Sequence, residues 1–224
     1  MKYPVNEVFQ TIQGEGVHSG VPSLFVRLQG CPVGCSWCDT KHTWDVLKED
    51  EVDTHVIISK RLDSPQYTQL TGSELIALFQ KQNFKASHVV ITGGEPCMYD
   101  LSELTDTLIE AGYSIQIETS GTYEVLVNDR VWVTVSPKVA MKGGMEVLRA
   151  AMQRADEIKH PVARESDIEN LDALLAESEL DASDVFICLQ PISQKARATK
   201  LCMDTCIERN WRLSVQTHKY LGIA

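Results

Sequence analysis

The chain has no run approaching the roughly 18 consecutive apolar residues that a membrane-spanning helix requires. Its opening residues, MKYPVNEVFQTIQGEG, carry no apolar stretch of the signal-peptide kind. A cytoplasmic protein is therefore expected, with no membrane partner. Basic residues are in deficit, 21 Lys and Arg against 31 Asp and Glu, for a net charge of −10. That balance disfavours broad nucleic-acid binding, which rests on neutralising phosphates, and suits an enzyme acting on small molecules. Internal repeats and low-complexity tracts are missing as well. With 43% hydrophobic and 23% charged residues among 224, the sequence reads as one globular domain spanning 1–224.

Paired cysteines are lacking too. There are seven, an odd and unevenly spaced number, which excludes an ordinary secreted disulfide framework. Three fall within eight residues (Cys31, Cys35, Cys38). The others read as buried thiols: Cys97 after a turn, Cys188 in a strand, Cys202 and Cys206 one helical turn apart.

What is present is an alternation of strand-type and helix-type segments. Strands are predicted at Leu24–Leu28, His88–Thr92, Ser114–Glu118, Trp132–Ser136, Glu157–His160, Val185–Gln190 and Arg212–Val215. Helices lie between them. Thr71 with Glu74 and Ser166 with Glu169 form capping boxes, Asp100 opens a helix that Gly112 ends, and Leu148, Ala151, Met152 and Ala155 repeat at helical spacing. This order predicts parallel strands with helical crossovers. A complete eight-unit barrel takes about 250 residues. The expected fold is thus α/β, an incomplete TIM-like βα barrel of about six parallel strands, open on one side. An open doubly wound sheet is the alternative, and both place chemistry at the C-terminal ends of strands. Residues 41–70 break the rhythm with an acidic run and read as a polar insertion, solvated in character, that either covers the cysteine loop or adds a binding surface.

The cysteine trio stands in Gly30–Cys–Pro–Val–Gly–Cys–Ser–Trp–Cys–Asp39, directly after a predicted strand. Gly30, Pro32 and Gly34 let the backbone curl so that three thiolates point inward. Three thiolates suit a 4Fe–4S cluster with one open iron. They also suit three corners of a zinc tetrahedron with His42 as the fourth, although paired C-x2-C knuckles are absent. Gly93–Gly–Glu–Pro96, after another strand, admits close backbone approach and offers the Glu95 carboxylate to an ammonium.

The C-x3-C-x2-C spacing, with an aromatic before the last cysteine and the GGEP turn, resembles the radical S-adenosylmethionine superfamily. FQTIQGEG, FVRLQGCPVGCSWCDTKHTW, VVITGGEPC, IETSGT and VSPK together resemble, within it, the 7-carboxy-7-deazaguanine synthases. That resemblance implies a truncated βα barrel and a homodimer using S-adenosylmethionine, a 4Fe–4S cluster and Mg2+. It implies a radical lyase that turns 6-carboxy-5,6,7,8-tetrahydropterin into 7-carboxy-7-deazaguanine, losing ammonia, in queuosine biosynthesis. Carried over by motif, Cys31, Cys35 and Cys38 bind the cluster and Thr40 the magnesium. Ser36, Trp37, Asp39, Gly94, Glu95, Glu118, Ser136, Pro137, Lys138 and Gln190 bind the cofactor. Ile12, Gln13, Gly14, Glu15, Arg27 and Thr92 bind the substrate. An electron donor such as flavodoxin is expected, although an acidic surface offers it no evident attraction. Two rivals stand beside this reading, a glycyl-radical enzyme activase and a non-catalytic Fe–S or zinc protein. Among the histidines, His18, His42 and His218 stand out as worth mutating.

Overall fold

Strand β2 (Pro22–Leu28) shows how the molecule is divided. Leu24, Val26 and Leu28 point to one side and are fully buried, while Phe25 and Arg27 point to the other. The same split recurs in the strands that follow. Strands β4 (His88–Gly93), β5 (Ser114–Thr119), β6 (Trp132–Val135), β7 (Glu157–Val162) and β8 (Phe186–Pro191) put Val89 and Ile91, Ile115 and Ile117, Val133 and Val135, Ile158 and Val162, and Ile187 and Leu189 into one apolar core. Helices cover that side: α2 (Gly72–Lys81), α3 (Ser102–Glu110), α4 (Arg149–Gln153), α5 (Glu165–Glu177) and α6 (Ala196–Arg209). Leu75, Leu104, Leu108 and Leu171 are fully enclosed there, each contributing about 1.5–3 kcal/mol. The opposite, concave face collects Thr92, Gln116, Glu118, Thr134, Glu157, Lys159 and Gln190. Parallel strands covered on both faces usually read as continuous apolar runs. Here alternate residues are polar because the second face lines a site.

The structure, a computed structural model, describes residues 1–60 and 62–222. Among them the sheet runs β3-β1-β2-β4-β5-β6-β7-β8-β9, where β1 is Tyr3–Ile12, β3 is Thr68–Leu70 and β9 is Arg212–Leu213. From β2 through β9 every pairing is parallel; β1 runs antiparallel to both β2 and β3. The ends do not pair, so the barrel is incomplete as expected, with seven parallel strands for the predicted six or so.

Three local expectations need correction. Strand β1 was not foreseen: a bulge between Val5 and Glu7 breaks its alternation. Ser166 is not a cap. Helix α5 starts two residues earlier than a Ser166 cap would set it, at Glu165, with Asp167 Oδ2 accepting from the backbone N–H groups of Ala163 and Arg164 at 2.7 and 3.0 Å. The 41–70 segment is more than a solvated insertion. It holds helix α1 (Thr54–Ser59) and β3, buries Ile57 and Tyr67, and pairs with β1, while its acids Asp45, Glu49, Glu51 and Asp53 stay exposed. The Thr71–Glu74 capping box forms, and Gly112 follows α3 at φ +91. The C-terminal stretch is ordered as helix α7 (Thr217–Leu221). Ile223 and Ala224 lie outside the described residues.

Candidate active site

The cysteine loop leaves β2 through Gly30 (φ +108) and turns at Gly34 (φ +69), backbone conformations that favour glycine. It is clamped from the 41–70 segment, where Gly30 N donates to Thr43 O (2.7 Å) and Cys31 N to Trp44 O (2.9 Å). Cys31, Cys35 and Cys38 line one cavity of about 340 Å3 at the C-terminal ends of the strands. Burial pushes the Cys31 thiol up to about 11 and the Cys35 thiol upward, so a bound cationic metal centre is what would favour their thiolate forms. Three soft sulfur donors around a cavity fit an iron–sulfur cluster. His42 does not complete a zinc set: its ring lies 3.8 Å from Asp63 and outside the cavity lining. Thr40 Oγ1 sits 3.5 Å from Cys38 Sγ, on the cavity wall.

The GGEP turn is built onto this loop. Gly94 N donates to Leu28 O (3.0 Å) and Glu95 N to Gly30 O (2.8 Å). A Cβ on Gly94 would overlap Gly30 O and press on Cys31 Cβ. Gly94→Ala is therefore expected to spread the two loops and lower the iron bound after anaerobic reconstitution several-fold; full wild-type iron content would contradict this packing. The Glu95 carboxylate, on the cavity wall, also has several protein partners. It is 1% exposed and accepts from Cys97 N (3.0 Å), Thr119 Oγ1 (2.6 Å), Ser120 N (2.7 Å) and Ser120 Oγ. Its roughly four acceptor positions are thus taken by protein donors. It ties the GGEP turn to the loop after β5.

Across the cavity, Lys159 on β7 lies 2.7 Å from both Glu15 Oε2 and Glu118 Oε2. Burial opposes the charge on Glu15, but the Lys159 ammonium, with hydrogen bonds from Lys159 and Gln216, outweighs it and holds the carboxyl at about 2. Burial pushes Glu118 up despite Lys159. Burial works against the Lys159 charge, yet its two carboxylates raise it. Lys138 donates to Ser136 O (2.9 Å) and Oγ (2.5 Å), stands 5.2 Å over the Trp37 ring, and is pushed down by burial.

Of the residues predicted for the site, the cavity brings together the three cysteines, Trp37, Asp39, Thr40, Thr92, Gly94, Glu95, Glu118, Glu15, Ser136, Lys138 and Gln190. Ile12, Gln13, Gly14, Arg27, Ser36 and Pro137 stand outside its lining. Gln13 Oε1 accepts from Glu15 N (3.1 Å), and Gly14 packs on His218. Arg27 Nε is engaged by Glu7, on the concave face and in register with Thr92. Ser36 is exposed, Ile12 ends β1 at 38% exposure, and Pro137 lines a neighbouring cavity behind Trp37. His18 packs between His88 and Trp132, away from the cavity. Lys159, Gln216 and Trp44 were missed. A lysine inside a predicted strand, EIKH, was the available signal for Lys159, since a buried lysine demands partners.

A parallel, unclosed barrel with a three-cysteine loop at the end of one strand is the architecture of a radical S-adenosylmethionine enzyme. The Radical SAM superfamily model matches residues 25–139, and with that superfamily come a 4Fe–4S cluster and S-adenosylmethionine acting on a small-molecule substrate. Over 224 residues and the full length of both chains, the protein is 59% identical to the 7-carboxy-7-deazaguanine synthase of Escherichia coli K12. It is 46% identical to that of Buchnera aphidicola subsp. Schizaphis graminum, again over the whole of both chains. The crystal structure of QueE from Escherichia coli superposes with a TM-score of 0.94 at 57% identity, covering 96% of this chain and 94% of that one. The chain belongs to the 7-carboxy-7-deazaguanine synthase family.

Proposed function

We propose that the protein converts 6-carboxy-5,6,7,8-tetrahydropterin to 7-carboxy-7-deazaguanine with release of ammonia. One observation carries this reading: three thiols and an ionised carboxylate, Glu15, share a single cavity. When bound and reduced, the cluster with S-adenosylmethionine supplies a 5′-deoxyadenosyl radical, the hard part of the chemistry. The chain's own residues hold and orient. Cys31, Cys35 and Cys38 would ligate three irons, and the backbone at Gly94 and Glu95 would face the methionine end of the cofactor. Ser36, Trp37, Asp39, Ser136, Pro137, Lys138 and Gln190 would border the rest of it, and Glu118 would reach it only from the Lys159 network. Thr40 would supply one oxygen to Mg2+, a thin protein shell of the kind magnesium accepts beside substrate oxygens and water. Ile12, Gln13 and Gly14 would frame the substrate beside Glu15 and Thr92. Because, among the described residues, Arg27 is engaged only at Nε, by Glu7, its two terminal guanidinium nitrogens keep the fork that grips a carboxylate. The family resemblance supports a homodimer and an electron donor such as flavodoxin.

The test is an anaerobic reaction of reconstituted protein with reductant, Mg2+, S-adenosylmethionine and the carboxypterin, followed by product mass and ammonia release. Formation of 7-carboxy-7-deazaguanine is expected. Cofactor cleavage with no consumption of the pterin would defeat the proposal.

A further inference from the structure

Four side chains from distant parts of the chain meet on one wall of the cavity: Glu15 after β1, Glu118 on β5, Lys159 on β7 and Gln216 before α7. A carboxylate offers about four acceptor positions, two on each oxygen. Among the described residues, Glu118 has three of them filled, by Lys159 on Oε2 and by Gln13 Nε2 (3.4 Å) and Gln116 Nε2 (3.1 Å) on Oε1. Glu15 has only two filled. Lys159 takes one on Oε2 and Gln216 Nε2 takes one on Oε1, each at 2.7 Å. One position per oxygen is left, and Glu15 lies on the cavity surface. That is the arrangement that accepts two parallel N–H donors, as in a bidentate guanidinium–carboxylate pair. A 2-amino-4-oxopyrimidine carries such an edge in its exocyclic amino group and the adjacent ring N–H.

Resting on the functional reading above, the geometry points to Lys159 and Gln216 as positioning residues for substrate recognition. By occupying one side of each Glu15 oxygen, they turn the other side toward the amino and ring N–H groups of the pterin. The two act through Glu15 and set both its direction and its charge. The charged and titratable groups around Glu15 are Lys159 and Glu157 from β7, Glu118 from β5, Lys138 after β6, and His218 and Lys219 from the C-terminal segment. Since the Glu15 carboxyl is held low, its ionised form persists as the pH falls, until about 2. Without Lys159, burial would be opposed only by the Gln216 hydrogen bond and the more distant His218, and the carboxyl would rise. Binding would then be lost on acidification within the ordinary assay range.

The test is equilibrium binding of the carboxypterin to reconstituted holoenzyme with S-adenosylmethionine and no reductant, so that no turnover occurs. Lys159→Met is expected to weaken pterin binding about thirty-fold or more, with the loss growing from about pH 7.5 to pH 6. Gln216→Leu, which removes no charge, is expected to weaken it about five- to tenfold without the added pH dependence. An analogue lacking the 2-amino group should bind the wild type poorly, and both variants should discriminate against it less. Gln216→Leu carries the test alone if Lys159→Met does not fold. Unchanged pterin affinity, unchanged discrimination, or parallel loss of pterin and cofactor with no pH effect would overturn the inference. A wild type that binds and cleaves S-adenosylmethionine but ignores the pterin would instead overturn the functional reading.

Discussion

Replacing Cys35 with alanine is expected to abolish turnover, by about a thousandfold or more, while leaving the fold intact. Cys35 lies on the cavity wall, and losing one small side chain there costs about 1 kcal/mol. The loop keeps its shape through Gly30 N to Thr43 O, Cys31 N to Trp44 O and Glu95 N to Gly30 O, none of which involves the Cys35 side chain. What disappears is one corner of the cluster. After anaerobic reconstitution, the variant should show no cluster EPR signal that changes on adding S-adenosylmethionine. Cys202→Ala is the matched control. That thiol is fully buried in the helix-facing core, so its loss should lower stability by about 1–2 kcal/mol and leave the EPR response in place. Turnover by Cys35→Ala close to wild type would remove the basis for a cysteine-bound cluster.

The same contrast between loop and core explains what could be read in advance. Strands β2 and β4 to β8 were legible because each carries an apolar row facing the helices, whereas β9 was placed by its alternation although Arg212–Leu213 is exposed. The cysteine and GGEP motifs were legible because their glycines and thiols are adjacent in sequence. Strand β1 was not, because the bulge near Asn6 and the polar Glu7, Gln10 and Thr11 hide its period. Lys159 and Gln216 escaped for a different reason. Their partner Glu15 is separated from them by most of the chain, and only the tertiary fold, which carries the segment after β1 across the concave face, unites them. Glu95 was found, and it lines the cavity. A carboxylate beside two glycines suggests a ligand contact, yet nothing local to GGEP reveals that Thr119 and Ser120 fold back onto it.

Those contacts lead to a second large effect, at a side chain that a near-isosteric substitution would seem to spare. Each Glu95 oxygen accepts one backbone N–H, Cys97 N on Oε1 and Ser120 N on Oε2, together with one hydroxyl. Hydroxyls can rotate and accept; backbone N–H groups cannot. In Glu95→Gln the amide NH2 must therefore face a backbone donor in either orientation, leaving a buried donor without an acceptor at a cost of about 2–3 kcal/mol. Glu95→Ala strands all four donors and is expected to cost about 4 kcal/mol or more. Urea unfolding of the anaerobic protein measures both. Because Glu95 also joins the β5 loop to the GGEP turn, which in turn holds Gly30, the stability loss should be accompanied by weaker S-adenosylmethionine binding in both variants. A Glu95→Gln protein as stable as the wild type would mean that the amide finds an acceptor this packing does not provide. Normal stability with lost cofactor binding would return the carboxylate to direct ligand contact.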